Sequence, residues 1–272
     1  MKHLTLLLVA TTAYASCISD TFLFPRAAGD QAAINLFNYT ELGGPFTWHH
    51  INKANAACSQ GKHQSPIHVL SEEVDYVTSS SLALDIPAAD EAKISNLGSG
   101  LEVALAQGTL TVSENHQYQL AQFHFHTPSE HRVDQEYFPL EVHFVFKDYG
   151  TSIAVVAFLF QLSSTGEAVH PFDYIFNHLD DVDRPGTSTE TGYLDFKYLT
   201  AHLVTHDIYR YIGSLTTPPC TEGVAWYISA EPLPLDVVSF NKIKRILKFN
   251  ARFTQNALGQ ENLLKVAVQA VD

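Results

Sequence analysis

The sequence predicts a mostly β protein of the α+β class, a single domain on a large, twisted, mostly antiparallel central sheet with peripheral helices. Three observations carry this. Apolar and polar residues alternate at period two in several segments, which puts one set of side chains on each face of a strand. Helical periodicity is confined to two segments, too few for alternating strand–helix units. No repeat, low-complexity tract or Gly/Ser/Pro-rich linker divides the 272 residues, and their 46% apolar content supports one sizeable core.

The chain opens with Lys2, a short apolar run from Leu4 to Ala10, and Ala13-Tyr14-Ala15, a small-x-small step. This is the pattern of a secretory signal peptide, expected over residues 1–19 with cleavage after Ala15 or Ser19. Residues 20–272 then form the domain, in a secreted, extracellular protein. The apolar run is too short to cross a bilayer, and no later stretch reaches the roughly 18 apolar residues a spanning helix needs, so no membrane span is expected.

Strands follow in order. Leu101, Val103 and Leu105 alternate, Gln107-Gly108 breaks the run, and Leu110 and Val112 resume it. Gln122 to His126, Glu141 to Phe146, Ile153 to Phe160 and Val224 to Ile228 are further strands. One helix is expected over about Ala168 to Leu179. A second spans Leu235 to Phe249, with Val238, Ile243, Ile246 and Leu247 on one stripe.

Lys and Arg number 16 against 29 Asp and Glu, a formal net charge of −13 that repels a phosphate backbone, so nucleic acid is not an expected partner. The sequence has no Gly-rich phosphate loop and no Gly-x-Ser-x-Gly elbow. It has three cysteines, Cys17, Cys58 and Cys220. Cleavage after Ser19 removes Cys17. Cleavage after Ala15 leaves it as an odd thiol able to link chains. Asn38-Tyr39-Thr40 is an N-glycosylation sequon.

The segments that point to chemistry are Gln122-Phe123-His124-Phe125-His126 and Glu141-Val142-His143-Phe144-Val145-Phe146. On a strand, residues two apart share a face. His124 and His126 then project together, with Phe123 and Phe125 turned into a core. Glu141, His143 and Val145 share one face in the same way. The segment Thr127 to Leu140 is long enough to turn the chain back. Two adjacent strands would present three imidazoles to one point. Three neutral imidazoles with an open fourth position make a catalytic zinc site. Glu141, Gln122 and nearby carbonyls are suitable acceptors for the outer ring N–H groups. A rival pattern, His124-x-His126-x-x-x-Glu130, matches half of a cupin metal motif. The residues before His143 lack the glycine its second half needs.

With these residues in view, the sequence closely resembles the α-class carbonic anhydrases over roughly Asn35 to Val268. The landmarks occur in order: Gly44-Pro45 with Trp48, Gln64-Ser65-Pro66-Ile67, Gln122 to His126, Ser129-Glu130-His131, Glu141-Val142-His143, Ser214 to Pro219, Trp226, and Asn250-x-Arg252. The resemblance implies a zinc enzyme that hydrates carbon dioxide to bicarbonate and a proton by attack of zinc-bound hydroxide. It makes His124, His126 and His143 the Zn²⁺ ligands, Gln122 the partner of His124 and Glu141 that of His143. Thr216 and Glu130 become the catalytic pair, with the Thr216 hydroxyl donating to Glu130 and thereby orienting the nucleophile. Val145, Val155, Leu215, Thr217, Val224 and Trp226 become the carbon dioxide pocket, and Cys58–Cys220 the disulfide of secreted members. Fast members carry a proton-shuttling histidine after an Asn-x-Gly step. Here Asn96-Leu97-Gly98 is followed by Ser99. Proton release is therefore expected to be slow. Glu102 is a poor candidate substitute, and His116 is expected across a hairpin from this loop. A non-catalytic binding module of the same fold is the alternative. Such modules typically lack zinc ligands, whereas all three are present here.

Overall fold

The computed structural model describes residues 32–78, 81–112 and 116–269. The expected signal peptide, with Cys17, lies outside them. In chain order the strands are β1 His68–Val69, β2 Asp75–Val77, β3 Leu82–Asp85, β4 Lys93–Asn96, β5 Leu101–Ala104, β6 Thr109–Val112, β7 His116–His126 and β8 Arg132–Val133. They continue with β9 Glu136–Tyr137, β10 Leu140–Lys147, β11 Ile153–Leu162, β12 Ser188–Glu190, β13 Ile208–Ser214, β14 Glu222–Ser229 and β15 Leu233–Leu235. The helices are α1 Trp48–Ile51, α2 Ala57–Gln60, α3 Phe172–Asn177, α4 Lys197–Thr205, α5 Val237–Leu247 and α6 Leu263–Gln269.

Among the described residues, 12 strands join one sheet in the order β12-β4-β5-β7-β10-β11-β14-β13-β2, with β6 and β3 continuing from β7 and β15 pairing β11. Most pairs are antiparallel, and β11 runs parallel to β14 and β15. The sequence break at Gln107-Gly108 has a clear purpose. Gly108, at φ 147°, lets the chain pass from β5 to β6, and both strands pair with the long β7.

Period-two alternation divides the core between the two faces of the sheet. One face buries Phe123, Phe125, Phe144 and Phe158 against Phe172 and Phe176 of α3 and Phe196 beside α4. Phe123 stacks on Phe144 with centroids 4.6 Å apart. The other face buries Val145, Val155, Tyr211, Leu215, Val224 and Trp226, and carries the histidines. Burying a large apolar side chain stabilises by about 1.5–3 kcal/mol, so the phenylalanine face anchors the strands that carry the site.

Both expected helices form with changed ends. The first starts only at Phe172, because Pro171 disfavours the α conformation in the residue before it, and after Asn177 a 3-10 turn over Leu179–Val182 takes its place. The second begins at Val237, where the Asp236 carboxylate accepts the Ser239 N–H at 2.9 Å. Its expected stripe is corrected at Val238, which is 67% exposed, while Ile243 and Leu247 are buried. Val238 lies in the first turn, before the helix reaches the core.

Candidate metal centre

Strands β7 and β10 pair so that His143 faces His124 and Glu141 faces His126. Because cross-strand partners project to the same side, the three imidazoles converge, and their ligand nitrogens all lie within 4.8 Å of one another. Each ring is oriented by a bond on its far side. His124 Nδ1 meets Gln122 Oε1 at 2.9 Å, His126 Nδ1 donates to the Asn250 carbonyl at 2.8 Å, and His143 Nε2 meets Glu141 Oε1 at 2.7 Å. That leaves Nε2 of His124 and His126 and Nδ1 of His143 to face one point. His126 Nε2 is buried with no hydrogen-bond partner. An orphaned buried lone pair is costly unless something electrophilic takes it. Burial lowers the pKa of all three imidazoles, that of His126 to about 4, so they are neutral donors at physiological pH. Three neutral nitrogen donors in this arrangement fit a zinc-type ion.

Behind His143 stands a second buried group, His131, Glu141 and His143, whose ligand atoms also lie within 4.8 Å. Its members are tied to one another by hydrogen bonds. Glu141 Oε1 takes His131 Nδ1 and His143 Nε2, each at 2.7 Å, while Oε2 takes the backbone N–H groups of Glu130 and His131 at 2.8 and 2.9 Å. Burial alone raises the Glu141 pKa, but His131 and His143 overcome it and hold the carboxyl well below the usual range. Beyond it, His131 Nε2 lies 2.7 Å from the Tyr211 hydroxyl, which lies 2.8 Å from Ser65 Oγ. Glu141, His131, Tyr211 and Ser65 are thus joined in one continuous line of hydrogen-bond contacts.

Glu130 is fully buried. Its Oε1 accepts the Arg252 backbone N–H at 2.8 Å, and its Oε2 lies 4.0 Å from His143 Nδ1. Burial pushes its carboxyl up to about 7, against the opposing pull of His143, the Arg252 N–H and the Thr216 side chain. Glu130 Oε2 is buried with no hydrogen-bond partner. Thr216 and Thr217 are buried in the turn after β13. That turn is tied by Leu215 N–H to Thr221 O at 2.9 Å, Cys220 N–H to Thr217 O at 2.8 Å, and the Trp226 indole to Ser214 O at 3.0 Å. The Cys58–Cys220 disulfide bridges 162 positions and holds the end of the same turn.

Strand register also assembles an apolar wall. Val145 lies two residues after His143, Val155 sits opposite Val145, and Trp226 sits opposite Val155. Leu215 and Val224 join the same cluster. Trp226 meets the His143 ring edge-on at 4.8 Å.

The position after Asn96-Leu97-Gly98 is Ser99, whose Oγ accepts from Asn35 Nδ2 at 2.6 Å. Glu102 is buried and stands directly across from His124 on β5. The expectation for His116 is corrected. It pairs with Val112 at the start of β7, the end away from His124 and His126, and contacts Asp148. Sequence reasoning gave no role to the Asn250 carbonyl, Tyr211 or His131. His131 and Asn250 occur in the landmark motifs, but their partners lie on distant segments that no spacing rule predicts.

A profile of the eukaryotic-type carbonic anhydrases matches residues 43–263. Among solved structures, the fungal alpha carbonic anhydrase from Aspergillus oryzae is 57% identical, with a TM-score of 0.84, over 86% of this chain and 99% of that one. A carbonic anhydrase of Pectobacterium atrosepticum is 29% identical over 82% of this chain and 87% of its own length. Alpha carbonic anhydrase 6 of Arabidopsis thaliana is 32% identical over 78% of each. In sequence over most of its length, and in fold, the chain belongs to the α-carbonic anhydrases, lyases that hydrate carbon dioxide reversibly to bicarbonate.

Proposed function

We propose that the three imidazoles hold zinc and that carbon dioxide is hydrated beside them, with Thr216 and Glu130 orienting the reaction. The observation that carries this is the convergence of three buried, neutral imidazoles, each with its outer nitrogen tied back and one inner nitrogen orphaned. When bound, zinc supplies the Lewis acidity that makes water nucleophilic at neutral pH, an effect for which carbonic anhydrase is itself the reference case.

The protein's own groups do the rest. Gln122, the Asn250 carbonyl and Glu141 fix the rings and raise the basicity of the inward nitrogens. The Thr216 hydroxyl donates its hydrogen bond to the Glu130 carboxylate, so the Thr216 oxygen is left to act as an acceptor. It then selects for a nucleophile or ligand that can donate, and aims it. The Thr216 N–H is available for charge developing on the bicarbonate oxygen. Val145, Val155, Leu215, Val224 and Trp226 form the apolar wall against which carbon dioxide rests, with Thr217 at its edge. Ser99 does not titrate near neutral pH, and proton release is slow on this reading. Zinc content and hydration rate measured on one purified sample test the proposal. An active preparation without zinc overturns it.

We also infer secretion after removal of a signal peptide within residues 1–19, by cleavage after Ala15 or Ser19, with the domain over 20–272, and a glycan on Asn38. Asn38 is exposed, and its Oδ1 accepts the Thr40 N–H at 2.9 Å, a turn that presents the side-chain amide. The disulfide suits an oxidising compartment. Among the described residues no helix is long and apolar enough to cross a membrane. Mass spectrometry of the protein from the culture medium reads the mature N-terminus and the Asn38 mass together.

A further inference from the structure

The three residues from Asn250 to Arg252 touch the site at two points. The Asn250 carbonyl orients His126, and the Arg252 backbone N–H meets Glu130 Oε1 at 2.8 Å. This strap is fastened at both ends by side chains. At one end the Asn250 amide grips the end of β7. Its Oδ1 accepts the Thr127 N–H and its Nδ2 donates to Phe125 O, each at 2.8 Å. At the other end the Arg252 guanidinium reaches back to the segment carrying Cys58. Nη1 donates to Ser65 O at 2.7 Å, and Nη2 to Gln64 Oε1 at 2.9 Å and Cys58 O at 3.1 Å. Gln64 Nε2 in turn donates to the Cys220 carbonyl at 3.0 Å, so the fork is joined to both halves of the disulfide.

Arg252 is 2% exposed. Among the described residues the guanidinium forms no ion pair within 4.0 Å, its hydrogen bonds go to neutral carbonyl and amide oxygens, and Glu130 acts on its charge only from a distance. A buried charge without an ion-pair partner is a poor way to gain stability, and an apolar side chain often serves better. A planar fork supplies direction, because its donors point along fixed lines. We infer that Arg252 is a positioning residue for the Glu130–Thr216 pair. Its guanidinium sets the strap so that its own N–H holds one oxygen of Glu130, leaving the other for the Thr216 hydroxyl. This rests on the reading of Thr216 as a gate that favours ligands able to donate.

The test uses the zinc-loaded, disulfide-intact protein and two probes. A simple sulfonamide, bound as its anion, keeps one N–H to donate to Thr216. Azide has none. Calorimetry at one pH gives the ratio of azide to sulfonamide dissociation constants. In Arg252→Lys, which keeps the charge and loses the fork, the ratio falls about tenfold or more, the scale of a displaced orienting group. Gln64→Ala, which removes the fork's side-chain acceptor, moves the ratio the same way and serves if the Arg252 variant does not fold. Leu199→Ala, in the buried face of α4, lowers stability and leaves the ratio alone. An unchanged ratio in the folded Arg252→Lys protein overturns the inference, as does an unchanged ratio in Gln64→Ala where that variant stands in. A wild-type protein with no preference for the donating probe overturns the gate reading itself, a result distinct from either.

Discussion

His143 stands directly opposite His124 in the antiparallel ladder between β7 and β10, with ring centroids 5.3 Å apart. The ladder register, set by the buried phenylalanines on the far face, thus fixes two of the three imidazoles against each other. A slip of one residue between the two strands would put the two rings on opposite faces of the sheet. His126, two residues along β7, joins them through the alternation of the strand alone.

His143→Ala should therefore remove zinc and hydration together, since two imidazoles leave half of a tetrahedral protein shell empty. Metal analysis and a hydration assay on the same sample check this. Stoichiometric zinc with full activity would remove His143 from the ligand set.

Thr216→Ala should keep zinc and lose about 10²-fold in turnover, the scale of removing one orienting group. Normal turnover with intact zinc would show that Thr216 does not aim the nucleophile.

Glu141→Gln should weaken zinc binding by about 10- to 100-fold, the cost of disturbing the partner of a ligating histidine. The carboxylate accepts four donors, His131 Nδ1, His143 Nε2 and two backbone N–H groups. An amide must turn its own NH₂ toward two of them, either the two imidazoles or the two backbone N–H groups. Competition with a chelator measures the affinity, and a wild-type value would mean that Glu141 does not tune His143.

The disulfide should contribute to stability as well as to the turn it holds. Cys58→Ser with Cys220→Ser should cost about 2–4 kcal/mol, because the unfolded chain regains a long open loop. Urea unfolding reads this directly. A second readout separates the local role. If the bridge braces the Thr216 turn, the double variant also loses turnover under conditions where it is fully folded.

Period two was enough to find the strands bearing His124, His126 and His143, since a strand's facing is local and needs no tertiary information. The helix ends and the place of His116 were not legible in the same way. A proline at 171 shortens one helix, and only the pairing of β6 with β7 shows that His116 begins the strand at its far end. The hydrogen bond from His126 to Asn250 joins residues 124 apart, and that from Arg252 to Cys58 joins residues 194 apart. Contacts of that kind are made by the whole fold. No short pattern announces them, which is why Asn250 and Arg252 stood out as a motif without a role.

Hydration releases one proton per turnover, and that proton must reach bulk solvent before the next cycle. An imidazole with a pKa near 7 relays it well, with little free-energy cost in accepting or in passing it on. At the position after Asn96-Leu97-Gly98 this chain has Ser99, whose hydroxyl oxygen accepts from Asn35 Nδ2 at 2.6 Å and does not titrate near neutral pH. His116, the nearest histidine after this loop in sequence, sits at the far end of β7 and faces Asp148. Proton release should then limit turnover to below the roughly 10⁶ s⁻¹ of the reference carbonic anhydrase. Two results follow. Added imidazole buffer should raise the maximal rate in proportion to its concentration and then saturate. Ser99→His should raise the rate at low buffer while leaving kcat/KM, which reports the carbon dioxide step, nearly unchanged. A low-buffer rate already near 10⁶ s⁻¹ and indifferent to imidazole would mean that another group carries the proton.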